Sequence, residues 1–420
     1  FCLDIRAERY RNQGKVARQL LEPEVGHQLL ALVRDRPDVQ VLTITAASQE
    51  FDRDAAQVVD RGSNLKITDV RMFYVGGKLY VRIQTNANIT GWGETFGLNA
   101  RVAIALVAAM AEGLKGENPT RIEHLWQRLY RGSRDARGGP YMTNVISGID
   151  MALWDIAGKA WGVPVYRLLG GPTRDRIRLY PSATSYKVGP GGPREFAATP
   201  QMVKGYVDHV AQFRERLGPN GAIMLDAHCA MPPAFLIQLA SALEPYDVLF
   251  IEEPAVPGNI EVFKRLKDAI KVPLATGERD RTIWEFIPYL HEGCIDVLQP
   301  DIGACGGISQ MKKIATLAEA YHVPLAPHNA STVLGMTASF HAIASIPFFL
   351  IHEGGRGYNP GNVARVSWTI DKQGYASLPQ GPGLGVEIDQ QAVEKMHAKM
   401  PKNGGWPNPR HGHDGAIADY

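Results

Sequence analysis

Carboxylates and imidazoles end a series of short apolar segments in the second half of the chain. The segments and their final polar residues are AIMLDAH (Asp226, His228), DVLFIEEP (Glu252, Glu253), PLATGER (Glu278), DVLQPD (Asp301), PLAPHN (His328) and FFLIHE (Glu353). Successive ends are 23 to 27 residues apart. A single acidic residue in such a place is an ordinary helix cap. Six such ends in a row predict a shared site.

Three of these carboxylates have the chemistry of a divalent metal site. Asp226, Glu252 and Glu278 end three successive segments, so their oxygens can converge on one point. Three hard oxygen ligands, without thiolates or clustered imidazoles, suit Mg²⁺, with Mn²⁺ as a substitute, better than Zn²⁺. The three carboxylates and one divalent cation together keep a net negative charge, so an anionic substrate would need further donor groups.

The next segment ends supply groups for proton transfer. Asp301 and His328 end neighbouring segments, where a carboxylate can orient an imidazole and make it a competent base. Glu353 faces the same site from the last segment. His228 lies two residues after Asp226, and on an extended chain two such side chains point to the same side. The site therefore combines a metal, a His–Asp pair and a second histidine.

The regular spacing also predicts the fold that positions these residues. A strand of about 5–6 residues, a helix of about 11–12 residues and two short loops make a repeat of this length. Strands that are apolar throughout, alternating with helices, indicate a parallel sheet covered by helices. Polar residues confined to the strand C-termini favour a closed (β/α) barrel of the α/β class, whose active site lies at that end.

The rest of the chain divides around this barrel. Alternating β-branched and aromatic residues from Leu65, interrupted by Gly76-Gly77 and Asn88, predict an antiparallel meander, and helical stretches follow from about Arg101 to Lys159. The predicted organisation is an N-terminal extension (1–64), an α+β capping domain (65–170), a (β/α) barrel catalytic domain (171–380) and a C-terminal segment that returns to the cap (381–420). We assign the extension no catalytic role.

The composition limits the classes of partner. The chain has 420 residues and a formal net charge of +2, without the concentrated basic excess of nucleic-acid or membrane-surface binders. No apolar run reaches the roughly 18 residues of a membrane span. Four cysteines lack CxxC spacing, and no charged region leads into an apolar stretch at the N-terminus. We therefore expect a cytoplasmic enzyme, with no nucleic-acid or membrane partner, that acts on a small molecule.

The motifs together resemble a known family. ALWDIAGKAWGVPVYRLLGG, LDAH, FIEEP, TGER, QPD followed by GGIS, PHN and HEGG are similar to the mandelate racemase branch of the enolase superfamily, in order and spacing as well as in composition. The resemblance covers residues 65 to 389. It implies a modified TIM-type (β/α) barrel with an α+β cap, and Mg²⁺ that stabilises an enediolate.

The resemblance also implies a role for each site residue. The metal ligands correspond to Asp226, Glu252 and Glu278, the catalytic dyad to Asp301 and His328, and a glutamate that faces the substrate carboxylate to Glu353. The cap loop from Gly91 to Asn99 would close over the substrate, so that Glu94, Thr95 and Phe96 become candidates for specificity.

Two further positions separate the reactions known in this branch. SYKVGPG stands where many members carry Lys-x-Lys, with Ser185 in the first position and Lys187 in the second. His228 is typical of sugar-acid dehydratases of the galactonate and mannonate type, where it would protonate a departing hydroxyl. The first hypothesis is a Mg²⁺-dependent dehydratase of sugar acids, which we expect to be a homo-oligomer. The alternatives are a racemase or epimerase of 2-hydroxy acids, which would use Lys187 and His328, and a non-catalytic regulatory protein.

One departure from the family pattern affects the first barrel strands. Between RIRLYPSA and SYKVG the family has a helix and its connections, roughly 20 residues or more, and here the link is almost nil. Two adjacent parallel strands require a crossover of about a dozen residues or more. The first βα unit is therefore irregular, or a segment is missing from the sequence.

Overall fold

The structure is a computed structural model that describes residues 63–132, 135, 137–180, 185–187, 199–354, 357–405, 410–411 and 417–418. Of the predicted N-terminal extension, residues 1–62 lie outside these ranges. No helix in the described ranges is long and apolar enough to cross a membrane.

The described chain begins with the antiparallel meander that the sequence predicts. Strands β1 (Ile67–Val75), β2 (Lys78–Thr85) and β3 (Thr90–Thr95) form one sheet in the order β1-β2-β3. Gly76 and Gly77 make the β1–β2 turn with positive φ values of 57° and 91°, a conformation that glycine adopts without steric cost. Four helices follow the sheet: α1 (Ala100–Leu114), α2 (Ile122–Gly132), α3 (Pro140–Trp161) and α4 (Val165–Leu168).

The next part of the chain alternates short strands with helices. The strands are β4 (Arg176–Tyr180), β5 (Ser185–Lys187), β6 (Ile223–Asp226), β7 (Val248–Glu252), β8 (Leu274–Thr276), β9 (Val297–Leu298) and β10 (His352–Glu353). The helices are α5 (Pro200–Leu217), α6 (Pro233–Leu243), α7 (Ile260–Ala269), α8 (Thr282–Glu292), α9 (Gly307–Ala320) and α10 (Val333–Ala344).

The strand pairings run around a nearly complete barrel. Strands β5 to β9 form one parallel sheet in chain order. Parallel bridges extend it from Leu298 to Leu325 and from Leu325 to Phe349, and β10 pairs in parallel with β4. The remaining elements are β11 (Ala364–Val366), β12 (Tyr375–Ser377), β13 (Val386–Ile388), α11 (Gln390–His397), β14 (Arg410–His411) and β15 (Ile417–Ala418). The fold is thus an α+β cap with a (β/α) barrel, as predicted.

The barrel interior explains why the polar strand ends meet. One apolar cluster takes a buried residue from each of seven strand segments: Tyr180, Met224, Phe250, Ala275, Val297, Ala326 and Ile351. Side chains alternate between the two faces of a strand, so a residue two positions after an interior residue also faces inward. Asp226 follows Met224 in this way, and Glu252 follows Phe250. The same two-residue step places His328 after Ala326 and Glu353 after Ile351.

The link between β4 and β5 is too short for the crossover of a regular barrel, as the sequence indicates. Residues 181–184 separate Tyr180 from Ser185 and lie outside the described ranges. On its other side β4 pairs antiparallel with β12, from Arg176↔Ser377 to Arg178↔Tyr375. This antiparallel neighbour is a departure from a regular barrel, and it lies next to the strand whose crossover is missing.

The cap is joined to the barrel by a buried carboxylate. Glu94 in β3 is fully buried and accepts hydrogen bonds from the backbone N–H groups of Thr332 (2.9 Å) and Gly335 (3.0 Å), and from the Thr332 hydroxyl (2.6 Å). These groups lie at the N-terminus of α10, which lacks intrahelical acceptors for its first N–H groups. Glu94 therefore has a structural role, and its predicted role in specificity stays a prediction.

Glu94→Gln is expected to lower the free energy of unfolding by about 1–3 kcal/mol for each donor left without an acceptor. Burial, which outweighs the hydrogen bonds, raises the pKa of Glu94 to about 7 in the folded protein, against an ordinary value of 4.5. The folded state therefore holds this proton more tightly than the unfolded state, and the stability so gained is lost as pH rises from about 4.5 to about 7. Glutamine does not titrate. The difference in melting temperature between parent and variant should thus be larger at pH 5 than at pH 8, as measured by circular dichroism.

A matched control for this substitution is Glu112→Gln, which changes a glutamate whose side chain is 75% exposed. This control should melt with the parent at both pH values. A Glu94→Gln protein that also melts with the parent would show that α10 does not need this cap.

Candidate active site

Six predicted site residues lie at one end of the barrel, and all six are buried. They are Asp226, Glu252, Glu278, Asp301, His328 and Glu353, each exposed by 7% or less. The strand register brings the first two level with each other, because Asp226 pairs with Glu252 across β6 and β7. The remaining four belong to the next strands around the barrel. So many ionisable groups in one apolar interior are typical of a functional site.

Asp301 and His328 form a hydrogen-bonded pair. The Nδ1 atom of His328 lies 2.8 Å from Oδ2 of Asp301, and the other Asp301 oxygen accepts a bond of 2.7 Å from the Gly303 backbone N–H. Asp301 is thus held from both sides and fixes the orientation of the ring. The ring of Phe96, from the cap, stands edge-on to the imidazole at a centroid distance of 5.6 Å. Phe96, one of the three cap-loop candidates, therefore lies next to the dyad.

The other imidazole nitrogen faces carboxylates. Nε2 of His328 lies 3.3 Å from Oε2 of Glu278 and 3.7 Å from Oε2 of Glu353, whose oxygen also accepts a 3.0 Å bond from the Asn329 backbone N–H. Burial opposes protonation of His328, but Glu278, Glu353 and Asp301 outweigh it and raise the pKa of the imidazole well above its usual value. The geometry suits a group that takes up and holds a proton at Nε2.

The predicted metal ligands have the electrostatics of a cation site. Burial raises the pKa of Glu252 well above its ordinary value, and the neighbouring charges of Asp226, Glu353 and Glu278 raise it further. Burial also raises the pKa of Glu278. Carboxylates crowded together without water repel one another, and a bound divalent cation would relieve this repulsion. The donor set, which consists of carboxylate oxygens, fits Mg²⁺ or Mn²⁺.

A second group of possible ligand atoms shares one residue with the predicted set. Asp226, His228 and Glu253 each offer an atom within 4.8 Å of the others'. His228 Nδ1 lies 3.5 Å from Oδ2 of Asp226 and 3.4 Å from Oε2 of Glu253, and its backbone N–H donates to Oδ1 of Asp226 at 2.8 Å. His228 thus stands beside the predicted metal site, as the two-residue spacing suggested.

Three residues around the site had no role in the sequence-based prediction. Glu253 and Arg279 directly follow predicted ligands, and the doubled glutamate of FIEEP was the signal for the first of them. Tyr180 ends β4 level with Glu353. Burial, with the charges of nearby carboxylates including Glu252 and Glu353, raises the pKa of the Tyr180 hydroxyl well above its ordinary value. Its hydroxyl therefore stays protonated, and it can act as a donor at the base of the site.

Lys187 occupies the last position of β5, where its backbone pairs with Asp226. The register puts Lys187 level with two predicted metal ligands, Asp226 and Glu252. Its side chain is outside the described part of the structure. The role predicted for Lys187 in the racemase alternative therefore stays a prediction.

Glu252→Gln is expected to weaken Mg²⁺ binding by about 100-fold, since changes even to groups around a metal's ligands cost 10–100-fold in affinity. The fold should persist, because the barrel core does not depend on the ion. Mn²⁺ titration followed by electron paramagnetic resonance measures the affinity directly, without any substrate. Circular dichroism checks the fold, and Glu261→Gln on α7, whose side chain is 72% exposed, is a matched control. Unchanged Mn²⁺ affinity would remove Glu252 from the ligand set.

Comparison with known proteins agrees with this architecture. Residues 74–170 match the family model of the mandelate racemase/muconate lactonizing enzyme N-terminal domain, and residues 177–392 match that of the enolase C-terminal domain-like family. The D-galactonate dehydratase of Xanthomonas euvesicatoria pv. vesicatoria is 36% identical over 389 residues, which covers 85% of this chain and 100% of that protein. Since 85% of 420 residues is about 357, roughly 30 aligned positions have no counterpart here.

Solved structures show the same fold. A mandelate racemase/muconate lactonizing enzyme-like protein from Rubrobacter xylanophilus superimposes with a TM-score of 0.74 at 28% identity, over 80% of this chain and 98% of that one. The 3,6-anhydro-D-galactonate cycloisomerase from Zobellia galactanivorans superimposes with a TM-score of 0.71 at 29% identity, over 79% and 99%.

Proposed function

The chain belongs to the mandelate racemase/muconate lactonizing enzyme family of the enolase superfamily, and from this premise we propose that it is a Mg²⁺-dependent dehydratase of sugar (aldonic) acids. The reaction would remove the proton next to the carboxylate, eliminate the 3-hydroxyl and give a 2-keto-3-deoxy acid. The similarity to a D-galactonate dehydratase supports an aldonic acid as the substrate class.

One observation carries this proposal: the site has two histidines, each beside carboxylates, on different strand ends. His328 is bonded to Asp301, and His228 lies within 3.5 Å of Asp226. Dehydration needs two proton transfers, one from carbon and one to the departing oxygen. A site with two separate imidazoles can provide both, and each transfer is worth about 10²–10⁴-fold in rate.

The roles of the residues follow from this arrangement. His328 takes the C2 proton at Nε2 while Asp301 holds Nδ1, and the electron pair left behind forms an enediolate with the carboxylate. Mg²⁺ held by Asp226, Glu252 and Glu278 would supply the positive charge that stabilises the enediolate. His228 donates a proton to the 3-hydroxyl as its C–O bond breaks, and water leaves. The resulting enol becomes the 2-keto-3-deoxy acid, and Glu353 would face the substrate carboxylate.

The second candidate is a racemase or epimerase of 2-hydroxy acids. It is favoured by the position of Lys187, level with Asp226, from which an ammonium group could act with His328 in two-base chemistry. The chain is an enzyme, so the non-catalytic alternative does not apply.

A substrate screen decides between the two candidates. The protein is incubated in D₂O with Mg²⁺ and a set of aldonic acids, and 2-keto-3-deoxy products are detected with semicarbazide. Deuterium at C2 of the recovered acid is measured by mass spectrometry. A dehydratase gives the keto product from at least one acid, whereas inversion at C2 without this product would establish the isomerase.

The wider setting of the enzyme follows from this proposed chemistry. A 2-keto-3-deoxy product belongs to the breakdown of carbohydrate acids. We propose that the enzyme is a homo-oligomer. We also propose a location in the cytoplasm, which the three described cysteines support because all are free thiols and buried. The substrate would be a small acid sugar, with no nucleic-acid or membrane partner.

A further inference from the structure

Glu253 is a buried glutamate that the proposed reaction does not yet use. It directly follows the predicted ligand Glu252, and its side chain is 1% exposed. Its carboxylate accepts two hydrogen bonds from the guanidinium of Arg279, one from Nε to Oε1 at 2.5 Å and one from Nη2 to Oε2 at 2.9 Å. Such a two-bond fork fixes the position and the plane of a carboxylate. Oε2 of this fixed carboxylate lies 3.4 Å from Nδ1 of His228.

The backbone also ties His228 to Glu253. The N–H group of Cys229 donates to the carbonyl of Glu253 at 2.9 Å, and that of Ala227 donates to the carbonyl of Glu252 at 2.9 Å. The residues on either side of His228 are thus both hydrogen-bonded to the end of the neighbouring strand β7. His228, Cys229 and Glu253 all have positive φ values, of 48°, 52° and 45°. Non-glycine residues rarely adopt this conformation, and those that do cluster at functional sites.

We infer that Glu253, held by Arg279, is a positioning residue that orients the imidazole of His228 for proton delivery to the departing 3-hydroxyl. The inference rests on the proposed dehydratase function. A carboxylate beside Nδ1 selects one ring orientation and one tautomer, which leaves Nε2–H for the substrate. The distance of 3.4 Å is longer than an ideal hydrogen bond, and catalytic hydrogen bonds commonly shorten when substrate binds.

The alternative role for Glu253 is that of a metal ligand together with Asp226 and His228. The fork from Arg279 argues against it, because it occupies both Glu253 oxygens with a cation. A divalent cation would have to compete with the guanidinium for the same oxygens. Glu252 and Glu278 have no such fork among the contacts of the described residues, although Nη2 of Arg279 lies 3.5 Å from Oε1 of Glu278.

The test compares Glu253→Gln with the parent enzyme in D₂O, using an aldonic acid that the parent dehydrates. The 2-keto-3-deoxy product is expected to form about 30- to 100-fold more slowly. Deuterium exchange at C2 should stay within about threefold of the parent or increase, because an enediolate that cannot lose its hydroxyl returns to substrate. Mn²⁺ affinity should stay within about threefold. A purely structural role would not shift the reaction from product formation to exchange.

Two further variants support the comparison. Arg279→Lys keeps the charge but cannot form the two-bond fork. It should therefore also slow product formation relative to deuterium exchange at C2, by a smaller factor than Glu253→Gln. It also provides the test if Glu253→Gln does not fold. Glu261→Gln, in the exposed pair with Lys264, should behave as the parent.

The other outcomes separate the possible failures. Product formation, exchange and Mn²⁺ affinity that fall together would make Glu253 a metal ligand and overturn the inference. Parental values for all three measurements would show that Glu253 has no part in the reaction, and they would also overturn the inference. A parent enzyme that exchanges C2 but dehydrates no acid would refute the dehydratase itself, and the positioning role with it.

Discussion

His328→Asn is expected to abolish both C2 proton exchange and dehydration, with a loss in kcat of about 10⁴-fold. Both reactions begin with removal of the same proton, and the imidazole that Asp301 orients is the base in this proposal. Asparagine keeps a polar side chain but cannot accept the proton. The measurement is deuterium incorporation at C2 by mass spectrometry, together with semicarbazide detection of the keto product, under saturating Mg²⁺.

Asp301→Asn is the companion variant that separates the base from its support. The imidazole stays in place, but its orientation and basicity change, so the loss should be smaller than in His328→Asn. Mn²⁺ affinity should change little in the His328 variant, because the imidazole is not among the proposed ligands. Exchange that continues undiminished in His328→Asn would move the base to Lys187 or elsewhere, and the isomerase hypothesis would gain support.

Strand alternation made much of the site predictable from the sequence. In a strand, residues two positions apart share a face, so the polar residue two positions after an interior residue had to face the barrel mouth. Met224 with Asp226, Phe250 with Glu252, and Ala326 with His328 follow this rule. The spacing of the segments predicted the parallel sheet, and the fold class is confirmed.

The same alternation rule does not predict that Glu253 lies at the site. As the neighbour of Glu252 it should point away from the interior, and on a regular strand it would. Its φ value of 45° breaks the alternation at the strand end, and its carboxylate lies beside His228. Arg279, the neighbour of Glu278, joins the site through that carboxylate. Such local reversals follow from tertiary contacts, which the residue pattern does not contain.

The structural role of Glu94 could not be predicted from the sequence for a related reason. The family resemblance implied a cap loop over the substrate, and the structure places Glu94 in β3, where it accepts bonds from the start of α10. Its partners, Thr332 and Gly335, are more than 230 residues away in the chain. Only the packed structure shows that a cap carboxylate replaces the missing acceptors of a barrel helix.

The second large effect is expected for His228→Gln, which should nearly eliminate the 2-keto-3-deoxy product while C2 deuterium exchange stays measurable. Hydroxide is a poor leaving group, and a general acid contributes about 10²–10⁴-fold. His228 shares its strand end with Asp226, so it would lie near a substrate bound to the proposed metal ion. Glutamine cannot deliver a proton in this way. Exchange continues because it requires only His328.

The two histidine variants together separate the dehydratase from the racemase. A racemase needs a second base on the opposite face of C2, and this role would fall to Lys187; His228 has no required proton transfer in it. Loss of product with retained exchange is therefore a pattern that only the elimination predicts. The bond from the His228 backbone N–H to Asp226 does not depend on the imidazole, so the metal site should survive the substitution, and Mn²⁺ titration checks this. If dehydration continues near the parental rate, His228 is a polar wall residue and the departing hydroxyl must take its proton from another group.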